Sequence, residues 1–427
     1  MKKQLMATTA LVAGGLIAGV AQAAEPIKLS LGGYVTTGLT IRDQDNIATG
    51  SASNRSTGDD RNYTTAATTN AAGATVNVPT TTDLGRTDQF WEGEVFFVGE
   101  TTLDNGIKIG VNIQLEAYTS ADQVDEHYVY VQGGFGRLVV GAENSAAYIM
   151  HYSAPSPTGG QFGADSPNFL PFRAPSNNAV GSVRTFTQLT SDANKITYYT
   201  PRFAPGFQFG VSYAPDDDAP QGTQTVNGAG NCRGGCAFDA GNGISDNEQA
   251  NHNNFVEAGV NFVRSINGVD LAFDVNFGTG FVEHQLRSAA NGGNDRLLKQ
   301  RFTAGAGFNV GYAGWTFGAG WLWDNLGLQG ENNRHDFTAG VTYGAGPWLV
   351  GVNVGYAFHQ DGEARQGTVL VDRTNDSLIY AEVGGQYTLG PGIRVFSVLN
   401  LAKWDGNSTA TEESAGIAWS TGFRLSF

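Results

Sequence analysis

The last fourteen residues, Ser414–Phe427 (SAGIAWSTGFRLSF), decide the fold. Ile417, Trp419, Thr421, Phe423, Leu425 and Phe427 fall on one side of an extended chain. Gly416, Ala418, Ser420, Gly422, Arg424 and Ser426 fall on the other. This is the period-two alternation of a strand with one apolar face. A terminal strand this apolar cannot lie in water as an unpaired edge. It fits as one stave of a closed barrel whose outer face meets lipid, because closure pairs every backbone group within the bilayer.

The alternation recurs along the chain. Ile27, Leu29, Leu31, Val35, Leu39 and Ile41 alternate with Lys28, Ser30, Gly32, Tyr34, Thr36 and Thr40. Similar segments surround Ile107–Glu116, Val269–Gly278, Trp315–Asp324 and Trp348–His359. They run about 10 residues or more, the length of a membrane-crossing strand, where globular strands usually have 5 or 6. The parity sets Val352 against lipid and its neighbour Asn353 against a wet lumen.

Tight turns alternate with long connections. The turns are at 104–106, 133–136, 204–206, 266–268, 312–314, 345–347 and 390–392, where Gly, Asn and Pro supply the backbone angles. The long connections are 43–86, 118–123, 143–193, 215–252, 279–297, 326–333, 360–374 and 405–413. Seven turns and eight loops join about 16 strands, with all turns at one rim and all loops at the other. The expected fold class is therefore all-β, a transmembrane antiparallel β-barrel. Aromatic residues near strand ends (Phe90 and Trp91, Tyr198 and Tyr199, Trp321 and Trp323, Tyr356 and Phe358, Phe423 and Phe427) suggest interfacial girdles.

The amino end reads as a secretory signal peptide over residues 1–23. Lys2 and Lys3 precede the short apolar run Leu11–Val20, and Ala21-Gln22-Ala23 is a small-x-small cleavage site. Residues 24–427 then form one barrel domain, since no linker separates two cores. The net charge is −15 and becomes about two units more negative without Lys2 and Lys3. Nucleic acid is excluded as a partner, because it requires a basic footprint. The mean hydropathy of −0.22 fits a barrel, in which only alternate residues face lipid.

Val129–Gly141 (VYVQGGFGRLVVG), Lys195–Asp216 (KITYYTPRFAPGFQFGVSYAPD) and the closing FRLSF resemble the general Gram-negative porins, in particular those of alphaproteobacteria. The likeness runs along the strands of nearly the whole mature chain, and the stretch 49–82 looks like an insertion. It implies a homotrimer of sixteen-strand barrels in the cell outer membrane, among outer-membrane lipid and lipopolysaccharide. It also implies a water-filled pore for small hydrophilic solutes and ions. In the family the third loop folds inward, and its acids face basic residues on the opposite wall. The terminal Phe427 is taken as the signal for outer-membrane assembly.

The third loop, about Asn144 to Asp192, is rich in proline (Pro155, Pro157, Pro167, Pro171, Pro175) and so stiff enough to hold a constriction. Its Gly159–Gly163 segment, with Phe162, is similar to the Phe-Gly-Gly tip of the family loop. Asp165 is its clearest acid, with Glu143 and Asp192 at the ends. Strand parity turns Lys28, Glu92, Glu94, Lys108, Glu116, Arg301, Arg394 and Arg424 inward, and Arg42, Arg86 and Arg137 sit near early strands. Glu92 and Glu94 share a face, which suits pore lining far better than a glycosidase carboxylate pair. The inward acids Glu92, Glu94, Glu116, Asp270, Asp274 and Glu382 suggest a mild cation preference.

Cys232 and Cys236 (CRGGC) are spaced for a small disulfide in an exported protein. Zinc would require two further ligands, so no metal and no cofactor is assigned. Nucleophile, zinc-protease and P-loop motifs are absent from the sequence, and the six histidines show no pairing with a serine. The chain does not read as an enzyme. Three functions compete: a passive diffusion channel, a substrate-specific porin, and, in another class, a barrel enzyme or adhesin.

Overall fold

The computed structural model describes residues 26–427 apart from 46, 49–65, 70–74, 79–80, 83–85, 118–123, 167–169, 176–179, 216–250, 285–298, 328–331, 361–363, 367–368, 372–374 and 407–412. Segment 1–23, Cys232 and Cys236 lie outside the described residues. Sixteen antiparallel strands close into a barrel. They are β1 Lys28–Gln44, β2 Thr87–Thr102, β3 Lys108–Glu116, β4 Val124–Gly133, β5 Gly136–Ala142, β6 Asn194–Tyr199, β7 Phe207–Ala214 and β8 Asn251–Ile266. The chain continues through β9 Val269–His284, β10 Arg301–Tyr312, β11 Trp315–Asp324, β12 Asn333–Ala345, β13 Trp348–Gln360, β14 Asn375–Gly390, β15 Ile393–Asp405 and β16 Ser414–Ser426. Each strand pairs with its sequence neighbours, and β16 returns to β1 in the register Val35↔Leu425 and Leu39↔Thr421.

The terminal residue completes this closure. Phe427 N–H donates to Gly33 O and Gly33 N–H donates to Phe427 O, both at 3.0 Å. The seven short connections are the ones the turn residues mark. Asn267 and Gly268, at φ 52° and 81°, and Ala313 and Gly314, at 50° and 86°, have the left-handed pairs that two-residue hairpins need. Short extra strand pairs occur outside the barrel: Ile47–Ala48 with Thr81–Thr82, Ala66–Thr69 with Thr75–Val78, and Ala364–Gln366 with Val369–Val371.

The outer face is the apolar set of the alternation. Leu29, Leu39, Val275, Val352, Trp419 and Phe423 are exposed on it, while Thr36, Asn353 and Ser420 face inward and are buried. Two of the girdle aromatics turn the other way. Phe90 packs inside the barrel against Phe396, with ring centroids 6.1 Å apart, and Tyr199 is buried on the inner wall. Each shares its parity with inward neighbours such as Glu92 and Thr197, so an aromatic near a strand end does not by itself mark the interface.

The strands flanking the third loop are the shortest: β5 has 7 residues and β6 has 6, below the expected length of a spanning strand. The loop, residues 143–193, starts with the single helical turn α1, Ala146–Ile149. Ser145 caps that turn by accepting the Tyr148 N–H. Beyond it the described residues of the loop are non-helical and pack on the inner wall.

Candidate channel lumen

The third loop is seated by close approach to glycines. A Cβ on Gly210 would stand 3.0 Å from the Ala146 side chain, and one on Gly259 would stand 3.5 Å from Ala147. Gly318 and Gly340 lie under Pro155, and Gly355 lies under Ala164 and Val183. These inward glycines of β7, β8, β11, β12 and β13 form a track on which the loop backbone rests.

Polar groups fix the loop along this track. Tyr152 N–H donates to Asp274 at 2.7 Å, Asn309 donates to Ser153 O at 2.9 Å, and Asn353 donates to Pro155 O at 3.4 Å. Gln161 accepts from Thr36 of β1 at 2.8 Å, so the tip reaches the far side of the barrel. The returning arm is apolar. Ala164, Phe172, Val180 and Val183 bury against Ala357, Leu378, Tyr380, Ala402, Trp404 and Ala418 of β13–β16. The Trp404 indole N–H donates to Val180 O at 2.8 Å. The inner face of β12–β16 is therefore not uniformly wet. Asn353 is fully buried beneath the loop, contrary to the expectation that it meets lumen water.

His151 pairs with a threonine rather than a serine. Its Nδ1 lies 3.2 Å from Asp274 and its Nε2 lies 3.1 Å from the Thr185 hydroxyl. Hydroxyl, imidazole and carboxylate thus stand in a row. The Thr185 hydroxyl itself donates to Asp165 at 2.7 Å, and His151 is buried. No solute can approach that hydroxyl, and the row fastens loop to wall. Parity places Asp274 inward but cannot bring a residue 123 positions away beside it.

The residues singled out for pore lining lie as follows. Asp165 sits at φ 62° and accepts from the Thr185 amide and hydroxyl, so its carboxylate braces the loop from inside. Phe162 is buried at the tip, edge-on to Phe90 at 5.4 Å and 5.7 Å from Phe396. Glu143 is buried at the loop base, where burial pushes its carboxyl up to about 7 against the pull of Arg137 and Lys195. Arg42 donates to Pro171 O at 3.3 Å and lies 3.9 Å from Asp88. Arg86 is exposed at the loop end of β2, its carbonyl accepting the Arg42 N–H. Arg137 stacks over the Tyr130 ring, 4.4 Å from its centroid. Lys28 is exposed at the turn end of β1.

Glu92, Glu94 and Glu116 line β2 and β3, half-buried, with Glu94 and Glu116 in register. The Tyr34 hydroxyl lies between the two carboxylates, in hydrogen-bond contact with Glu92 and 2.7 Å from Glu94, with one proton to donate to either. Glu94, Glu116 and Asp125 bring carboxylate oxygens within 4.8 Å of one another, a spacing that suits a divalent cation. Two acids that parity counted toward the lumen are covered instead. Asp274 holds His151, and Glu382 lies under Gly163, whose added Cβ would meet the Glu382 carboxyl carbon at 2.6 Å.

The charges are therefore distributed differently from the arrangement the resemblance implies. Half-buried acids Glu92, Glu94 and Glu116 lie on the early strands, and Asp270 is exposed on β9. Cations lie on the loop, at Arg173 and the exposed Arg184, and on β15 and β16, at Arg394 and Arg424. Arg184 and Arg334 went unnoticed in the sequence. Arg334 pairs with Asp336 at 2.7 Å and donates to Ser182 O, and only its inward parity could have signalled it.

The comparisons with known proteins agree with this architecture. The anion-selective porin from Comamonas acidovorans superposes with a TM-score of 0.52 at 16% identity, over 94% of this chain and 100% of that one. The outer membrane channel DcaP of Acinetobacter baumannii gives 0.52 at 12% identity, over 96% and 100%. The trimer form of OmpT, an outer membrane protein of Vibrio cholerae, gives 0.50 at 12%, over 95% and 100%. No curated protein matches the sequence. The family model described as Gram-negative porin matches residues 7–407, nearly the whole chain. With a closed sixteen-strand barrel and a third loop folded along its inner wall, the chain belongs to the Gram-negative porin family and is an outer-membrane β-barrel.

Proposed function

We propose that the barrel is a passive diffusion channel for small hydrophilic solutes and ions, mildly cation-selective, working as a homotrimer among outer-membrane lipid and lipopolysaccharide. The observation that carries this reading is the half-buried acidic strip Glu92, Glu94 and Glu116 on β2 and β3, beside a third loop seated on other strands. Fixed negative charge on a hydrated wall raises the local cation concentration within a Debye length of about 8 Å. Arg394, Arg424 and Arg184 oppose it, which keeps the expected preference small. The trimeric form of the Vibrio protein supports the homotrimer. A barrel hydrolase is disfavoured, because the one hydroxyl–imidazole–carboxylate row among the described residues is buried and its hydroxyl is committed to Asp165.

The test is the reversal potential of the protein in a planar bilayer under a KCl gradient. Potassium preference that fades at high salt is expected. Glu92→Gln should lower it more than Asp165→Asn, since the Asp165 carboxylate is engaged within the loop. Chloride preference would overturn the assignment of sign, and absence of any conductance would overturn the channel.

A further inference from the structure

The side chains of the outer wall are not of even height. Ala319 of β11 is the register partner of Ala339 of β12, Ala339 is the partner of Val354 of β13, and Val354 is the partner of Ala381 of β14. One outward row nearer the loop rim, Trp321, Phe337, Tyr356 and Ile379 follow one another across the same four strands. One outward row nearer the turns stand Phe317, Val341 and Val352. Small residues thus form a floor between two taller ridges. The trough continues to Phe308 of β10 and Phe273 of β9 and has a volume of about 880 Å³. That is the size of a site for a sizeable organic molecule.

The chemistry of the trough selects hydrocarbon. The Tyr356 hydroxyl apart, its outward side chains offer no hydrogen bond, since the Trp321 indole N–H is turned to His335 Nδ1 at 3.4 Å. Protein partners inside a bilayer are held by polar contacts and close backbone approach, and the ridges here block the second. The lipid-facing band of the barrel runs into the trough without a break, so lipid is the molecule at its edge. A trough left unfilled forfeits dispersion contacts, and one residue row in width admits a single thin, flexible chain.

The aromatic ridge leads from the rim to the middle of the wall. Lys403 of β15 is the register partner of Ile379 and stands two residues before the loop end of its strand. At the other end the same row passes through Ala306 to Val275, nine residues before the loop end of β9. Five strand steps separate Ile379 from Val275, about 24 Å. The hydrocarbon of one leaflet is about 15 Å deep, so a tail lying obliquely along the trough is accommodated whole.

The charge at the upper end is balanced. Lys403 lies 3.7 Å from Asp405, and both side chains are well exposed. An exposed pair of this kind contributes little by itself, so a head group carrying both signs can exchange with it. A phosphate meets Lys403 and an ammonium meets Asp405. Lipopolysaccharide, with several phosphates, would find a single cation with an acid beside it.

We propose that this trough is a site of lipid retention. It takes one acyl chain of a zwitterionic phospholipid of the phosphoethanolamine class, whose head group sits at Lys403 and Asp405. The site lies on the outer wall, so it does not depend on what the channel conducts.

The experiment is native mass spectrometry of the full-length protein, washed free of lipid in detergent and then given dipalmitoyl phosphatidylethanolamine. A single retained lipid per barrel is expected, at concentrations where dipalmitoyl phosphatidylglycerol and purified lipopolysaccharide wash off. Ala339→Phe fills the floor and should abolish retention, and Lys403→Glu should lower it. Ala258→Phe is the control, an equal enlargement between Val211 and Phe277 on the outward face of β8, and should retain the lipid as the parent does. Each variant is checked for the heat-modifiable gel mobility of a folded barrel, and Ala319→Leu replaces Ala339→Phe should that variant not fold. Undiminished retention in the folded floor variant, or equal loss in Ala258→Phe, overturns the site. Preferential retention of lipopolysaccharide overturns the lipid class. A parent that holds no lipid, with subunits that separate in Ala339→Phe, makes the trough a contact between copies and overturns the proposal as well.

Discussion

Replacing Gly307 by Ala should unseat the third loop and leave the barrel intact. Gly307 is an inward residue of β10, held between Asp274 of β9 and Gly320 of β11, so the strand cannot move away. The Tyr152 carbonyl lies directly over it. An added Cβ would overlap that carbonyl oxygen and stand 2.7 Å from the carbonyl carbon. Ordinary carbon contacts begin at about 3.5 Å, so the loop must retreat by about 1 Å or more. That motion stretches the Tyr152 N–H bond to Asp274, now 2.7 Å, and the Asn309 bond to Ser153 O, now 2.9 Å, past useful length. It also strains the His151–Asp274 contact at 3.2 Å. A bond to a charged group contributes about 1.5–3 kcal/mol and a neutral one about 1, so seating should weaken by about 2–5 kcal/mol. Gly311→Ala is the control, on the same strand and face, where an added Cβ meets nothing closer than Asp270 at an ordinary 3.4 Å. Trypsin cleavage at Arg173 or Arg184 and open-channel noise in a planar bilayer should both rise in Gly307→Ala and not in Gly311→Ala. A Gly307→Ala protein with unchanged trypsin resistance and unchanged current would refute the seating of the loop on this glycine track.

Two further outcomes follow from the same geometry. Val352→Arg puts a cation on the lipid face and should cost about 2–4 kcal/mol if the residue lies at mid-bilayer. Asn353→Arg should be comparably harmful, because Asn353 is buried beneath Pro155; urea unfolding in lipid vesicles compares the two, and a mild effect at Asn353 would contradict its burial. The Glu143 carboxyl, pushed up to about 7 by burial from an ordinary 4.5, binds its proton more tightly in the folded protein. Stability should therefore be full at low pH, fall as pH rises from about 4.5 to 7, and be flat above that, with Glu143→Gln removing this component. Thermal unfolding midpoints at pH 5 and pH 8 for the two proteins measure it.

The outer face and the turns were legible in the sequence because each is imposed locally. Lipid demands an apolar residue at every second position, and a two-residue hairpin demands left-handed residues such as Asn267 and Gly268. The inner face was legible only in parity. Water and a packed loop accept different residues there, and which of them covers a position depends on chain segments far away in sequence. Asp274, Thr338 and Trp404 meet the third loop across 122, 184 and 224 positions, a separation at which alternation carries no information. Buried inward residues such as Leu378 and Trp404 did break the polar pattern, and those breaks mark where the loop packs. The inward glycines carried the same message in another form. Read as small lining residues, Gly307, Gly318, Gly340 and Gly355 leave the lumen wide. Read with the loop in place, their missing side chains are the space its backbone occupies. Charge follows the same logic. An inward acid contributes to the field in the lumen only where the loop leaves it open, so Glu92 and Glu94 bear on conduction, while Asp274 and Glu382, equal to them in parity, hold the loop.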